Sequence, residues 1–263
     1  MNRARGISGL LLLDRLIVLS SLIVITLAGW AYMVHEARGM VNTGVCQCLG
    51  MKMSGPDSNT WAPSRLLPLF LMWSEMMIAM MTPSAAPMIL IFASVNRKRR
   101  EANRPFVRTA FFASGYIVAW SLFSAVAAFA QWLMHGFALL SPMMVGTSPR
   151  LGGALLILAG AFQWTALKQS CLVHCRSPLN FIMTAWRDGK AGAILMGLQH
   201  GIYCIGCCWF LMILLFVAGV MNLWWIALIS VTVLIEKIVP RGVAIAKVTG
   251  IVGILFGLRM FFA

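Results

Sequence analysis

Charge is what this sequence has least of. Only 11% of its 263 residues are Asp, Glu, Lys or Arg, against about 25% in a soluble globular domain. Seven residues are acidic and 21 basic, for a net charge of +14. So little polar surface cannot cover a water-soluble fold. With 60% hydrophobic residues and a mean hydropathy of +0.87, the chain requires lipid as its solvent. Period-two alternation is also missing. Lipid admits only spanning helices or closed barrels, because backbone N–H and C=O groups find no water there. Apolar runs of about 20 residues without alternation select helices.

The familiar catalytic signatures are absent. No Cys-x-x-Cys-His attaches haem, no Walker loop or Rossmann fingerprint cradles phosphate, and no nucleophile elbow presents a serine. His35-Glu36 begins a His-Glu-x-x-His zinc motif, but no second histidine follows. No basic patch interleaved with aromatics suggests a nucleic-acid partner. The positive charge is better assigned to the membrane, because basic residues gather in cytoplasmic loops. The segment 16–34 is followed by His35-Glu36-Ala37-Arg38 rather than a small-residue cleavage site, so it reads as a retained first helix and not a signal peptide. No repeat or low-complexity stretch divides the chain. One membrane domain over 1–263 is expected.

What is present is a series of seven apolar segments, at 16–34, 66–95, 107–132, 151–168, 192–218, 223–239 and 243–262. The expected fold is all-α: a polytopic transmembrane helix bundle of about seven spans, or six if 223–239 is re-entrant. The second and fifth segments exceed the length needed to cross, which implies tilt or a break. With the N-terminus cytoplasmic, sixteen Lys and Arg fall inside and five outside. The block Arg97–Arg104 anchors that orientation. Trp61, Trp132, Trp224 and Trp225 then lie near the outer ends, as an aromatic belt would. The expected location is a prokaryotic cytoplasmic (inner) membrane, crossed several times, with the lipid bilayer as the principal partner.

The polar and sulfur side chains inside these segments carry the candidate chemistry. In the second segment, Met72, Met76 and Met80 share one helical row and Met77 and Met81 the next. Thioethers are soft ligands suited to Cu(I); flexible packing is the competing reading. Glu75 lies beside that face. A carboxylate near mid-membrane is a functional hypothesis by default, with a structural ion partner as the alternative. Pro83 and Pro87 expose carbonyls of the preceding turn and mark an expected kink. In the fifth segment, His200, Cys204 and Cys208 are spaced i, i+4, i+8, and Cys207 joins the same stripe. Imidazole and thiolate on one face suit a soft metal; small apolar packing is the alternative. Gly197, Gly201 and Gly206 leave room for close helix approach.

Cys171 and Cys175 end the fourth segment at the cytoplasmic edge, four residues apart. A structural disulfide is unexpected in a reducing compartment, which leaves metal transfer, redox chemistry or packing. Lys168 reads as a snorkelling side chain, and Glu236-Lys237 as an interfacial ion pair, with a site role for Glu236 as the alternative. The outer loop 35–65 is rich in Cys and Met. Cys46, Cys48, Met51 and Met53 could capture Cu(I) there, or be incidental.

Taken in order, these motifs resemble a prokaryotic family of predicted metal-binding integral membrane proteins with no assigned activity. The likeness rests on Met72-Trp73 followed by Met76, Ala79-Met80-Met81, Pro83 and Pro87. It continues in Gln163-Trp164, Lys168, Cys171, Cys175-Arg176 and Pro178. It ends in Gly197, His200-Gly201, Cys204, Gly206-Cys207-Cys208-Trp209, Met221-Asn222 and Glu236-Lys237. It covers about 65–240; the stretch 6–64 carries no matching motif. The resemblance implies a membrane fold and a metal site.

Three functions remain open on the sequence. The first is metal handling, with copper as cargo and zinc second. The ion would be moved across the membrane or delivered to a periplasmic or membrane metalloprotein under assembly. The second is a thiol–disulfide relay through the Cys-x-x-Cys spacing of Cys204 and Cys207, although such motifs usually open a helix rather than sit inside one. The third is a structural subunit of a larger membrane complex. Catalytic residues are not expected.

Overall fold

The computed structural model describes residues 2–43, 45–46, 51–52, 63–103, 105–136 and 148–262, with side chains over 16–39, 63–103, 105–134 and 148–262. Among these residues the chain is helical apart from one very short ladder and the connections between helices. In order come α1 (Asn2–Thr43), β1 (Val45–Cys46), β2 (Met51–Lys52), α2 (Leu66–Glu101), α3 (Thr109–Gly136), α4 (Pro149–Phe162), α5 (Ala166–Arg176), α6 (Pro178–Ala185), α7 (Gly189–Ala218), α8 (Leu223–Ile238) and α9 (Gly242–Phe262).

Among the described residues five helices are long and apolar enough to cross a membrane: Leu16–Gly39, Pro63–Glu101, Thr109–Met134, Gly189–Ala218 and Gly242–Phe262. The pair α4 and α5, bent by 62°, makes a sixth if counted as one span. About seven spans were expected, or six with 223–239 re-entrant, and the count turns on α8, whose 16 residues rise about 24 Å at ~1.5 Å each beside a hydrocarbon core of ~30 Å. The outer faces of these helices are apolar, with Leu71, Leu122, Val126, Leu158, Ile202 and Leu255 all more than half exposed. Such faces suit lipid better than water.

The fourth segment breaks where a continuous helix was expected. Thr165 takes an extended conformation and its hydroxyl accepts the Lys168 N–H at 3.3 Å, starting a new helix in a new direction. By contrast α2 runs through Pro83 and Pro87 as one helix. The carbonyls in the turn before Pro83 are claimed by other helices: Ser230 donates to Met80 O at 3.1 Å and Tyr116 to Met81 O at 3.2 Å. These bonds sew α2 to α8 and α3.

Helix α2 occupies the centre, with Trp73, Met76, Met77, Met80, Met81 and Phe92 all but sealed from the surface. Helix α8 runs beside it in the same direction, since Met221 lies near the start of α2, Ser230 beside Met80 and Lys237 beside Ser84. Helix α9 then returns along α4. The two meet through glycine: a Cβ at Gly160 would come within 2.5 Å of the Gly250 carbonyl, and one at Gly250 within 2.7 Å of the Gly160 carbonyl. The expected close approaches of α7 also occur. Gly197 faces the Phe112 carbonyl, Gly201 the Ala119 side chain, and Gly206 the Cys171 sulfur. At the basic end of α2, Asn96 brackets the start of the next helix by bonding both the carbonyl and the N–H of Val107.

Candidate functional site

The α7 stripe faces inward as its spacing predicted. His200, Cys204, Cys207 and Cys208 are all at most 2% exposed. Within the helix the Cys207 and Cys208 thiols donate to the Cys204 carbonyl at 3.1 and 2.9 Å. The Cys204 sulfur points elsewhere. It receives Lys237 Nζ at 2.7 Å and lies 3.2 Å from the Tyr116 hydroxyl. Lys237 also donates to Ser84 at 3.1 Å. Four helices therefore converge on one sulfur: α7 supplies it, α8 the ammonium, α3 the phenol and α2 the hydroxyl behind the ammonium.

Helix α5 closes the site. Cys175 lies beside Cys207, and Cys171 fits against Gly206. A Cβ at residue 206 would come within 2.7 Å of that sulfur. The described cysteines Cys171, Cys175, Cys204, Cys207 and Cys208 are all free, which is the form that binds soft metals.

Two readings of charged residues are corrected here. Lys168 does not snorkel; it is fully buried and donates to Glu236 at 2.6 Å. Its direction is set by the α4–α5 break, which turns it inward. Glu236 and Lys237 do not pair with each other, because adjacent helical residues diverge by about 100°. Glu236 faces Lys168 and accepts from Thr249 at 3.3 Å, while Lys237 faces Cys204. Both ions thus sit in the dry core with hydrogen-bonded partners, as buried charge requires.

His200 is one turn from Cys204 but stands apart from that network. It is packed among Phe112, Tyr116 and Phe181, with ring centroids at 6.3, 5.7 and 5.8 Å, and its buried Nδ1 has no hydrogen-bond partner. Among the described residues no three His, Cys, Asp or Glu side chains form a group that could hold a metal ion. Thioether sulfur is the other soft donor in this core.

Those thioethers are present in quantity. Met76, Met77, Met80 and Met81 are each at most 1% exposed, and the backbone of Met80 and Met81 is tied to Ser230 and to Tyr116, the partner of Cys204. Glu75 is turned away from the thiols. It is half-buried and opens into a cleft toward α1. Of the outer-loop candidates, Cys46 and Met51 pair across the two-residue ladder, while Cys48 and Met53 lie outside the described residues.

Sequence reasoning did not find Tyr116 or Ser84, whose types give no signal in an apolar helix. Lys168, Glu236 and Lys237 did carry one: ionised side chains within apolar segments need partners. Comparison with known proteins gives one result. The family model described as PpoB2, a copper chaperone, matches residues 70–260. No curated protein and no solved structure matches.

Proposed function

The chain belongs to the PpoB2 copper-chaperone family, and from that premise we propose that it is an integral membrane protein that holds Cu(I) among the thiols of α7 and α5 and the methionines of α2 and delivers it to a metalloenzyme under assembly. The observation that carries this reading is the pairing of Lys237 with Cys204 in a core lined by methionine.

Charge balance gives the pairing its purpose. A Cu(I) ion held by two thiolates carries a net charge of −1, and an isolated ion of that charge is costly in a dry interior. The Lys237 ammonium supplies the compensating +1. Glu236 and Lys168 already neutralise each other, so Lys237 is available as counter-charge. Cys204 provides one sulfur, and Cys207, Cys208 and Cys175 are the thiols close to it. Thioethers add soft, neutral ligands without disturbing the balance, and softness favours Cu(I) over Zn(II). Neutral thioethers also suit transfer, because one thioether can replace another with no change in net charge.

Anaerobic titration of the purified protein against a chromophoric Cu(I) competitor tests this. Stoichiometric Cu(I) binding that is lost in Cys204→Ser/Cys208→Ser, with Zn(II) bound far more weakly, is the expected result. Equal Cu(I) binding by the double variant and the native chain would overturn it. Delivery is tested by supplying an apo copper oxidase to copper-loaded vesicles. Activation that needs Cys204 supports delivery, and copper accumulation inside the vesicles without activation supports transport instead.

A further inference from the structure

The cleft that receives Glu75 is not part of the thiol core. It has a volume of about 200 Å³ and lies between α1 and the first turns of α2, at the opposite end of α2 from Arg97–Arg100. Its lining includes Met33 and Glu36 from α1, Met72, Glu75 and Met76 from α2, and Met221 from the turn before α8. Met33, Glu36, Met72 and Met76 are all buried. Close packing holds the two helices in register, since Gly29 leaves space for the Ala79 methyl.

We propose that this cleft is a second metal-binding site, one that accepts a soft monovalent cation on methionine sulfur and passes it inward. Four methionines and two glutamates are among the residues that line one small space. Oxygen-rich sites suit hard divalent ions, whereas a majority of thioethers selects a soft ion such as Cu(I). The carboxylates serve a different purpose. Carboxylate oxygen at the mouth of a low-dielectric cleft attracts cations and raises their capture rate. The basic-residue count assigns this end of the bundle to the outside, where a cation would arrive.

Position also connects the cleft to the core. Met76 borders the cleft, and Met80, four residues on, lies one turn deeper on the same row. The Met80 and Met81 carbonyls mark the level of Ser230 and of Tyr116, the partner of Cys204. A bound ion would therefore leave the cleft along the α2 methionine row. Met33 and Glu36 lie before residue 70, outside the part of the chain that the family model covers. The site is completed by the first helix, and the family match does not account for it.

The inference rests on the reading of the core as a copper site, and silver separates the two. Ag(I) is a redox-inert mimic of Cu(I), and its binding to the full-length protein in nanodiscs can be counted by equilibrium dialysis. The native chain is expected to show two classes of Ag(I) site. Met33→Leu/Glu36→Gln should lose one class and keep the other, and Cys204→Ser/Cys208→Ser should lose the complementary class. X-ray absorption on the cysteine variant should then show thioether sulfur around the remaining silver. Met221→Leu, which changes a turn rather than a packed helix face, should weaken the same class if the α1 variant proves unstable. Two intact classes in both the α1 variant and Met221→Leu would overturn the cleft site and leave the core reading standing. Loss in the α1 variant with no change in the cysteine variant would overturn the core reading and leave the cleft.

Discussion

Lys237 donates to the Cys204 sulfur at 2.7 Å, and the two residues come from different helices 33 positions apart. Among the described residues the ammonium has no carboxylate beside it: the adjacent Glu236 is turned to Lys168. Its partners there are a thiol and a serine hydroxyl. Removing the positive charge removes what compensates a bis-thiolate copper complex. Lys237→Met, which keeps the aliphatic length, is expected to weaken Cu(I) binding strongly in the competitor titration, and Lys237→Arg to weaken it less.

The methionine row can be tested without unfolding the protein. Met and Leu are close in volume, and such exchanges in cores usually cost less than about 1.5 kcal/mol. Met76→Leu/Met80→Leu should therefore melt near the native temperature while losing Cu(I) affinity. Unchanged affinity would reduce these residues to packing.

The Lys168–Glu236 pair makes a stability prediction. Both side chains are at most 2% exposed. Breaking a buried pair leaves an uncompensated charge and costs about 3–5 kcal/mol. Glu236→Gln should lower the thermal midpoint in detergent sharply. Lys168→Met/Glu236→Leu, which removes both charges, should recover most of the loss.

The contact between α4 and α9 offers a contrast between two glycines. A Cβ at Gly160 would meet the Gly250 carbonyl, whereas one at Gly253 would make only ordinary contacts, the nearest at 3.7 Å. Gly160→Ala is expected to destabilise by about 1–3 kcal/mol through overpacking. Gly253→Ala should be neutral or slightly stabilising, because glycine inside a helix costs roughly 0.5–1 kcal/mol relative to alanine. Parallel thermal melts check both.

Topology yields one more prediction. Because α8 follows the direction of α2 and α9 returns along α4, the end of α9 lies at the same end of the bundle as the start of α2. A reporter fused to the end of α9 should face the opposite side of the membrane from one inserted at Asn103. Reporters on the same side would mean that α8 does not carry the chain across.

The helical bundle was legible because its signal is local. Long apolar runs and the i, i+4 stripe of His200, Cys204 and Cys208 depend only on neighbouring residues, and Gly197, Gly201 and Gly206 did mark close approaches. The α4–α5 break was harder to read. Thr165 is a good helix cap, but the apolar run on either side outweighs one hydroxyl. The site network was out of reach for a different reason. Ser84 and Lys237 are 153 residues apart, and Tyr116 and Cys204 are 88 apart. Nothing in a single sequence links such positions. The reading of Lys168 as a snorkelling side chain failed because that rule assumes a straight helix ending at the membrane surface, and this one turns by 62° just before it.

The ion pair between Lys168 and Glu236 also bears on how the chain is made. The two residues are separated by 68 positions. At about 5–20 residues per second, the ribosome needs roughly 3 to 14 s to add the carboxylate after the lysine. For that interval Lys168 belongs to a helix whose destination is still apolar and whose counter-ion does not exist. An α5 segment placed in lipid before α8 would carry that lysine without a partner, and an unpaired charge is costly in a dry interior.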